Sequence, residues 1–487
     1  MMKNWKKIAI LGIVLVIFAA AFIYLSNIQN KSGDDGDSET DPVNEVKLVS
    51  FSRDKMVKII LEHGDSKIVL TREEKEVEKE QTKDDGTKET VKEKVKVWVT
   101  PDFDVDSSEV DDIALSGETV TTKRRIDENP QDVSVYGLDD PYIVTFVSED
   151  GKEEKVEIGD KTPTQDSYYV RRSGDTAVYT ISSYRGDILR SGKLDILNKN
   201  LHKFDNITSA NFTSLNFEKD GELVFESYKD SSEDQWYFSK PLKRKVDATQ
   251  FPKFLEWLAA FKVSEYVEEN PSDLAAYGLD DPKYVFNYNL KGREFTLKLG
   301  SKSESKHYAM MEGHPYVFNV SASDLNFVDF PMIDLMDRFI YIPTIYDVEK
   351  LVIEIDNRVD TLLINANKED PEKEEFYFNG RKIDDKTESQ FRGYYQGAIG
   401  LTGDRMDLAA TPEGNAEIRL TYTMREAKPD KVVVVELIPT EDGYGYYLMK
   451  NGEYSGLIMG KRKLDDPDLG IRSYYNKLIE ALSNTNE

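Results

Sequence analysis

An internal repeat of domain length is the feature that most constrains how this chain folds. The triplet Glu-Asn-Pro at 128–130 returns at 269–271, and Tyr-Gly-Leu-Asp-Asp-Pro at 136–141 returns at 277–282. The offset is the same at each position (269 − 128 = 141 and 277 − 136 = 141), and the glycines at 159 and 300 keep that spacing. Repetition at this length predicts copies of one self-sufficient folding module strung in series. The repeat describes how the molecule is built, and it does not reveal a chemistry.

The first thirty residues predict where the protein is located. Residues 8–25 form an unbroken apolar run, with Lys3, Lys6 and Lys7 before it. A helix of that length just spans the hydrocarbon core of a bilayer, and lysines on its N-terminal side keep that end in the cytoplasm. We expect 1–28 to be a cytoplasmic tip and a single-pass anchor in the cell membrane, with the bulk of the chain extracytoplasmic. The alternative is a cleaved signal peptide, which the three alanines at 19–21 favour.

Charge and cysteine content exclude several kinds of ligand and linkage. The 487 residues carry a formal net charge of −27, which repels nucleic acid and anionic phospholipid head groups. The chain has no cysteine, so disulfides and lipid attachment at an N-terminal Cys are excluded. Hydrophobic residues make up 39% of the chain, which is too much for a disordered tail. The exported part is therefore predicted to be globular.

Short alternating stretches and helix signals divide the globular part. Each repeat opens with two alternating stretches, continues with an aromatic strand at Trp98, Trp236 or Phe376, and then reaches an acid-led helix. The predicted fold class is α+β, with an N-terminal transmembrane helix followed by three tandem repeat units that have antiparallel sheets. The predicted spans are a flexible acidic linker at 29–43 and repeat units at 44–190, 206–330 and 345–482.

Two departures distinguish the predicted units from one another. The third unit diverges, because Thr-Pro-Glu-Gly at 411–414 stands where the repeated signature is expected. The first unit carries a charged insertion at 71–96, in which lysine and acidic residues alternate. This insertion is either a protruding β-hairpin that contacts a partner or a solvated loop without a role, and its charge pattern favours the loop.

The repeated block has a local structural explanation. In the second copy Asn270 is predicted to cap a short helix, with Pro271 at its first position and Gly278 ending it in the left-handed conformation. Leu279 then folds back as an apolar contact, and Pro282 prevents further helix. The alternative is that the paired aspartates at 139–140 and 280–281 bind a metal or another ligand. The predicted structural motif comprises Asn129, Pro130, Tyr136, Gly137, Leu138, Asp140, Pro141, Asn270, Pro271, Tyr277, Gly278, Leu279, Asp281 and Pro282.

These residues resemble a bacterial family called domain of unknown function 4340. The resemblance includes the Trp98 strand, both copies of the signature, and the Gly-Asp-Lys-Thr-Pro stretch at 159–163, and it extends over about 98–330. It implies a membrane-anchored, exported protein that is an accessory to ABC-type transport or envelope complexes. The resemblance implies no catalytic or binding residues.

No arrangement of reactive residues predicts a chemistry. Ser303 and Lys306 form Ser-x-x-Lys, but the companion motifs of penicillin-binding enzymes are missing. The four histidines have no zinc-binding spacing, although His307 and His314 straddle a predicted hairpin turn. No Walker loop or dinucleotide fingerprint is present, so we expect no nucleotide ligand and no cofactor.

Three functional hypotheses follow from the sequence. The first is a non-catalytic extracytoplasmic scaffold that docks with a membrane-protein partner such as an ABC transporter permease. The second is a cell-surface module that binds wall polysaccharide or peptide. The third is a carboxylate-dependent hydrolase, which requires two acids that face each other across a cleft.

Overall fold

A computed structural model describes residues 46–82, 88–122, 124–204, 206–425 and 431–484. These residues contain 28 strands in four antiparallel sheets, with one helix of 10 to 12 residues against each large sheet and a 14-residue helix near the C-terminal end. The predicted α+β class is therefore wrong, because the fold is predominantly antiparallel β. None of the described helices has both the length and the apolarity needed to cross a bilayer. The predicted anchor at 1–28 and linker at 29–43 lie outside the described residues.

The chain divides into two compact units, with Ile196 ending the first and Leu197 beginning the second. The first unit has helices α1 (Ser107–Glu118), α2 (Ser183–Leu189) and α3 (Lys193–Ile196), and 3-10 helices at Arg53–Lys55 and Ser134–Tyr136. Its strands are β1 (Val46–Ser50), β2 (Met56–His63), β3 (Ser66–Thr82), β4 (Lys88–Val99), β5 (Thr119–Thr122), β6 (Arg125–Asp127), β7 (Tyr142–Ser148), β8 (Glu153–Lys161), β9 (Ser167–Arg172) and β10 (Val178–Ser182).

The second unit contains two nine-stranded sheets. The strands of the second large sheet are β11 (Phe212–Lys219), β12 (Glu222–Asp230), β13 (Gln235–Lys240), β14 (Arg244–Lys245), β15 (Glu265–Glu269), β16 (Tyr284–Leu290), β17 (Arg293–Ser303), β18 (Lys306–Met311) and β19 (Tyr316–Ser321). Those of the third are β20 (Val348–Ile355), β21 (Arg358–Asn365), β22 (Glu375–Phe378), β23 (Arg381–Lys382), β24 (Arg405–Met406), β25 (Ile418–Met424), β26 (Val432–Pro439), β27 (Gly445–Lys450) and β28 (Glu453–Gly460).

Helices of the second unit connect these strands. The α-helices are α4 (Gln250–Ala259), α5 (Met332–Leu335), α6 (Glu388–Ile399) and α7 (Ile471–Asn484). The 3-10 helices are Ser209–Asn211, Ala275–Tyr277, Ala322–Asp329, Ile345–Asp347, Pro371–Lys373 and Lys461–Asp465. On α4 the apolar residues Phe251, Phe254, Leu255 and Leu258 recur at helical spacing and are buried.

The three large sheets share one strand order. The second sheet runs β14-β13-β12-β11-β16-β17-β18-β19-β15, and the third runs β23-β22-β21-β20-β25-β26-β27-β28-β24. The first sheet, β4-β3-β2-β7-β8-β9-β10-β6, follows the same path, and the described residues of the first unit contain no counterpart of β14. The chain first makes a meander, of three strands in the first sheet and four in the second and third, then crosses through a helix to the opposite edge and returns beside its first strand. The predicted repeat limits at 44–190, 206–330 and 345–482 stay predictions.

The hydrophobic cores follow the two units. In the first unit, Trp98 and Phe146 lie in a cluster with the inner face of α1, and a Cβ at Gly117 would overlap the Phe146 ring. In the second unit, one continuous cluster contains buried residues of both sheets, including Phe286 and Tyr422. The buried residues of these two sheets are therefore contiguous, and the expectation of self-sufficient modules in series stays a prediction.

Candidate functional site

Each copy of the repeated turn is a short 3-10 helix closed by a left-handed glycine. In the second copy the helix is Ala275–Tyr277, and Gly278 follows it with a φ of 64°. The Gly278 and Leu279 amides donate to the carbonyl oxygens of Ala275 and Leu274, each at 3.0 Å. These two bonds form a Schellman motif, and the Leu279 side chain is only 3% exposed.

The first copy has the same geometry. Gly137 follows the helix at Ser134–Tyr136 with a φ of 63°. The Gly137 amide donates to Ser134 at 3.0 Å, and the Leu138 amide donates to Val133 at 3.1 Å. The predicted left-handed glycines and buried leucines are therefore confirmed in both copies.

The predicted asparagine caps are wrong. The helices begin at Ser134 and Ala275, four residues after Pro130 and Pro271, so neither proline occupies a first helical position. Asn270 has a φ of 53°, and its amide donates to the carbonyl oxygen of Pro315 at 2.6 Å.

Aspartates, and not asparagines, accept the first amides of these helices. Asp132 Oδ1 accepts from the Ser134 amide at 2.9 Å, and Asp273 Oδ1 accepts from the Ala275 amide at 3.0 Å. In the first copy the Asn129 amide itself donates to a side chain, Asp127 Oδ1, at 3.1 Å. An aspartate two residues before a single helical turn is close enough to satisfy its first free amide, so the earlier asparagine is not needed.

The motif tyrosines attach each turn to the sheet. The Tyr136 hydroxyl donates to Asp127 Oδ2 at 3.2 Å, and the Tyr277 hydroxyl donates to Glu268 Oε2 at 2.5 Å. Each ring also meets a strand tyrosine edge-on, with ring centroids 4.9 Å apart in the first copy and 5.0 Å apart in the second. Hydrogen bonding to Glu268, followed by burial, raises the pKa of Tyr277.

The spaced glycines at 159 and 300 allow the turn backbone to lie against a strand. A Cβ at Gly159 would overlap the carbonyl oxygen of Tyr136, and one at Gly300 would overlap that of Tyr277. The same added atom at Gly300 would also lie 2.7 Å from the carbonyl oxygen of Gly278. Both glycines are needed for close approach of two backbone segments.

The remaining motif residues lie at the start of the strand that follows. Pro141 directly precedes β7, whereas Lys283 separates Pro282 from β16. Asp140 is exposed, 3.9 Å from His63 Nε2, whereas Asp281 borders a cleft. Among the described residues no group of three or more His, Asp or Glu side chains could hold a metal ion.

That cleft lies beside the repeated turn of the second copy and has a volume of about 460 Å³. The strand ends and the 3-10 helix Ala322–Asp329 form its walls. Its polar lining includes Asp281, Lys283, Ser301, Lys302, His307 and Asp329. We call it the lysine cleft.

The other reactive residues that the sequence contains make structural contacts. Ser303 and Lys306 are paired at the turn of the β17–β18 hairpin, and the Lys306 ammonium binds Glu265 at 2.8 Å. His202 Nε2 is 2.5 Å from the Tyr288 hydroxyl, and burial, followed by the charge of His314, lowers the pKa of His202 to about 4.

The charged insertion forms a β-ribbon, so the favoured loop interpretation is wrong. β3 pairs with β2 only as far as Thr71, yet it pairs with β4 without interruption from Thr71 to Thr82. We call residues 73–82 and 88–97 the ribbon. Acidic residues of β3 face lysines of β4 across it, with Lys92 Nζ 2.9 Å from Glu76 and Lys94 Nζ 3.6 Å from Glu74.

An exposed aromatic pair joins α4 to the segment that follows the 3-10 helix Ala322–Asp329. The rings of Trp257 and Phe330 are stacked, with centroids 5.3 Å apart and planes 16° apart, and the two residues are 39% and 40% exposed. Beside them is a cavity of about 220 Å³, whose polar lining is Asp247, Gln250, Asp334 and Arg338.

Sequence reasoning missed the lysine cleft and the aromatic pair. One signal for the cleft was available, since the second copy inserts Lys283 between Pro282 and the strand tyrosine that directly follows Pro141 in the first copy. The aromatic pair had no signal, because α4 and the segment that carries Phe330 are distant in sequence.

Comparison with known proteins identifies a family. The sequence model of the DUF4340 family, described as a domain of unknown function, matches residues 98–282 and, in a second segment, residues 236–392. The two segments begin at Trp98 and Trp236, which hold equivalent places in β4 and β13, and together they cover more than half of the chain. No curated protein and no solved structure matched. The chain belongs to the DUF4340 family.

Proposed function

We propose that the protein is a non-catalytic scaffold or accessory subunit of an extracytoplasmic membrane complex, of the ABC-transport or envelope kind. The ribbon is the element that docks the partner. The observation that supports this is the ribbon's backbone, since beyond Thr71 the described part of β3 pairs with β4 alone. An isolated two-stranded ribbon is only marginally stable. Contacts with a partner protein would therefore explain why the chain contains it.

The second copy shows that the module does not require the ribbon. Trp98 faces Arg72 across β3 and β4, as Trp236 faces Lys229 across β12 and β13. In the second copy the connection beyond this pair closes through residues 231–234. The ribbon is therefore an addition to the repeated module.

The ribbon's charges indicate how a partner is recognised. Lysines along the outer strand, β4, discourage indiscriminate strand addition at this sheet edge. The exposed cross-strand ion pairs contribute little stability, so a partner with complementary charges can exchange them at small cost. The apolar run at 8–25 would hold the protein beside such a partner in the membrane.

A loop-exchange variant tests this function. Residues 74–96 are replaced by Ser-Ser-Glu-Asp, the sequence at 231–234, which closes the first hairpin as the second is closed. We expect the wild-type protein to recover a membrane protein after crosslinking in native membranes, and the variant to recover at least tenfold less while keeping its thermal unfolding midpoint.

The control variant replaces 231–234 by Gly-Ser-Gly-Ser and leaves the ribbon intact. Equal partner recovery by the loop-exchange variant would exclude the ribbon as the docking element. Recovery of wild-type protein without any membrane partner would contradict the scaffold function itself.

The aromatic pair supports a second candidate, a module that binds wall polysaccharide. Two exposed, stacked rings with nearly parallel planes, beside carboxylate, amide and guanidinium groups, offer both an apolar platform and hydrogen-bonding groups for a sugar chain. Sedimentation with purified wall polysaccharide tests it, and Trp257→Ala is expected to reduce binding at least fivefold. Tyr346→Ala is the control, because Tyr346 is 37% exposed and lies outside the lining of that cavity. Equal sedimentation of both variants would exclude the platform.

A further inference from the structure

The lysine cleft is open in the second copy because the residue that fills the same place in the first copy has been replaced. From β9 and β18 onward the offset between the two copies is 139, so His307 corresponds to Tyr168 and Asp329 to Arg190 (307 − 168 = 139 and 329 − 190 = 139). The strand register agrees, since Tyr168 pairs with Ile181 and His307 pairs with Val320, which keeps the same offset (320 − 181 = 139).

In the first copy Arg190 fills this space. Its guanidinium carbon lies 4.3 Å from the ring centroid of Tyr142 and 4.8 Å from that of Tyr168. Its Nη1 donates to the carbonyl oxygen of Gly159 at 3.0 Å. A half-buried cation–π contact and a backbone hydrogen bond hold the side chain in place.

In the second copy the Asp329 side chain is shorter than that of Arg190, and it forms an ion pair instead. Its carboxylate accepts from Lys219 Nζ at 2.8 Å, and this bond raises the pKa of Lys219. The Nζ atoms of Lys219 and Lys283 lie 5.7 Å and 5.2 Å from the ring centroid of Tyr284, and beside Tyr284 and His307 a cleft remains.

One lysine of the cleft, Lys302, has also lost the counter-charge that its first-copy equivalent has. In the first copy Lys161 Nζ is 3.3 Å from Asp187 Oδ1. The corresponding residues are Lys302 and Asn326, so the acid has become a neutral amide (302 − 161 = 141 and 326 − 187 = 139). Lys283 has no counterpart in the first copy. Within the described part of the chain, neither Lys283 nor Lys302 has a carboxylate within ion-pair distance.

The two lysines direct positive potential into the cleft. Burial, and then the charges of Lys283 and Lys302, lower the pKa of His307, which is 8% exposed, although a hydrogen bond with the carbonyl oxygen of Gly300 opposes this shift. A neutral His307 adds no charge of its own to the cleft, and its ring remains a hydrogen-bonding group. The lining contains two lysines and two aspartates, and one of these acids, Asp329, is neutralised by Lys219, which lies outside the lining. Among the described residues Lys283 and Lys302 therefore face one acid, Asp281, that has no cation within ion-pair distance.

We propose that the lysine cleft binds a small ligand through an oxyanion, a carboxylate or phosphate group, held by Lys283 and Lys302. The Asn326 amide, which also lines the cleft, donates a hydrogen bond to the oxyanion, whereas the Ser301 hydroxyl already donates to the Tyr277 carbonyl at 3.0 Å. A volume of about 460 Å³ suits a ligand of metabolite size.

Titration calorimetry on the full-length protein tests this site with two probes, inorganic phosphate and succinate. We expect millimolar binding of at least one probe, with the preferred probe distinguishing a phosphate from a carboxylate source. The double variant Lys283→Met, Lys302→Met is expected to bind at least tenfold more weakly. Lys161→Met, at the equivalent first-copy position, is the matched control and is expected to bind as the wild type does.

A further variant rebuilds a first-copy feature in the second copy. Asn326→Asp restores the counter-charge, and it is expected to lower affinity at least tenfold without unfolding the protein, as checked by circular dichroism. The site would be overturned if the wild type binds neither probe at tens of millimolar, or if the double variant and Asn326→Asp retain wild-type affinity.

Discussion

The second and third large sheets have the same strand order, but only the second contains the repeated turn. At the strand position of Gly300 the third sheet has Ile438, since Leu299 pairs with Tyr284 as Leu437 pairs with Ile418. β17 is bulged between Leu299 and Lys302, whereas β26 runs past Ile438 in regular register. The turn, the glycine and the bulge are therefore present or absent together, and the strand order does not depend on them.

The same two sheets also differ in how they bury an equivalent tyrosine. Tyr288 in β16 and Tyr422 in β25 hold the same place, opposite Leu215 and Leu351. The Tyr288 hydroxyl pairs with the imidazole of His202, whereas the Tyr422 hydroxyl donates to the carbonyl oxygen of Ala398 at 3.2 Å. The second sheet thus contains a buried titratable pair where the third has a neutral hydrogen bond that does not titrate near neutral pH.

The largest expected effect comes from Gly300→Ala. The added Cβ would overlap the Tyr277 carbonyl oxygen and lie 2.8 Å from the Gly278 carbonyl carbon, both of which are backbone atoms that cannot rotate away. We expect a loss of about 3 kcal/mol in the free energy of unfolding, at the upper end of overpacking costs. Denaturant unfolding followed by tryptophan fluorescence measures the change.

Ile438→Ala is the matched control in the third sheet. Ile438 is half-buried in a regularly paired stretch of β26, so its truncation is expected to cost about 1 kcal/mol. Equal losses of unfolding free energy in Gly300→Ala and Ile438→Ala would mean that the close approach of the turn does not require a glycine at 300.

An intermediate effect is expected when pH is lowered. The folded-state pKa of His202 is about 4, below its ordinary value of 6.5, so the unfolded chain binds the proton first and stability falls as pH drops from about 6.5 to about 4. The full shift corresponds to about 3 kcal/mol. In His202→Asn this part of the pH dependence should disappear, as measured by unfolding free energies between pH 4.5 and 7.5.

Tyr422→Phe provides the comparison for that measurement. Its hydroxyl bonds a carbonyl oxygen, so removing it should lower stability by a similar amount at every pH in this range. A pH dependence in His202→Asn that equals the wild-type dependence would show that the buried imidazole does not set acid sensitivity.

Features determined by neighbours in sequence were predictable, and features determined by pairing were not. The left-handed Gly278, the buried Leu279 and the apolar face of α4 follow from local geometry and helical periodicity. The ribbon resembled a loop because its strands have few apolar residues, and its cross-strand ion pairs join positions such as Glu76 and Lys92 that lie on different strands.

The lysine cleft was hidden for a different reason. The cleft is recognised only when Asp329 is taken as the equivalent of Arg190. The offset of that pair (329 − 190 = 139) differs from the offset of the repeated sequence signature (277 − 136 = 141). Only the strand register of β9, β10, β18 and β19 establishes the equivalence. The contiguity of the buried residues of the second and third sheets was equally unpredictable, because alternating apolar positions indicate that a face is buried without indicating against which surface.

The smallest expected effect tests whether the turn's local hydrogen bonds matter apart from its packing. Asp273→Ala removes the acceptor of the Ala275 amide, an exposed interaction, and is expected to cost about 1 kcal/mol, typical of helix caps. In the third sheet Asp407 accepts from the amides of Ala409 and Ala410, each at 3.1 Å, where the repeated turn is missing, so Asp407→Ala should cost about the same. Thermal unfolding of both variants beside the wild type measures this. A much larger loss for Asp273→Ala would mean that the cap positions the Tyr277 carbonyl against Gly300, which would make cap and close packing one cooperative element that the third sheet lacks.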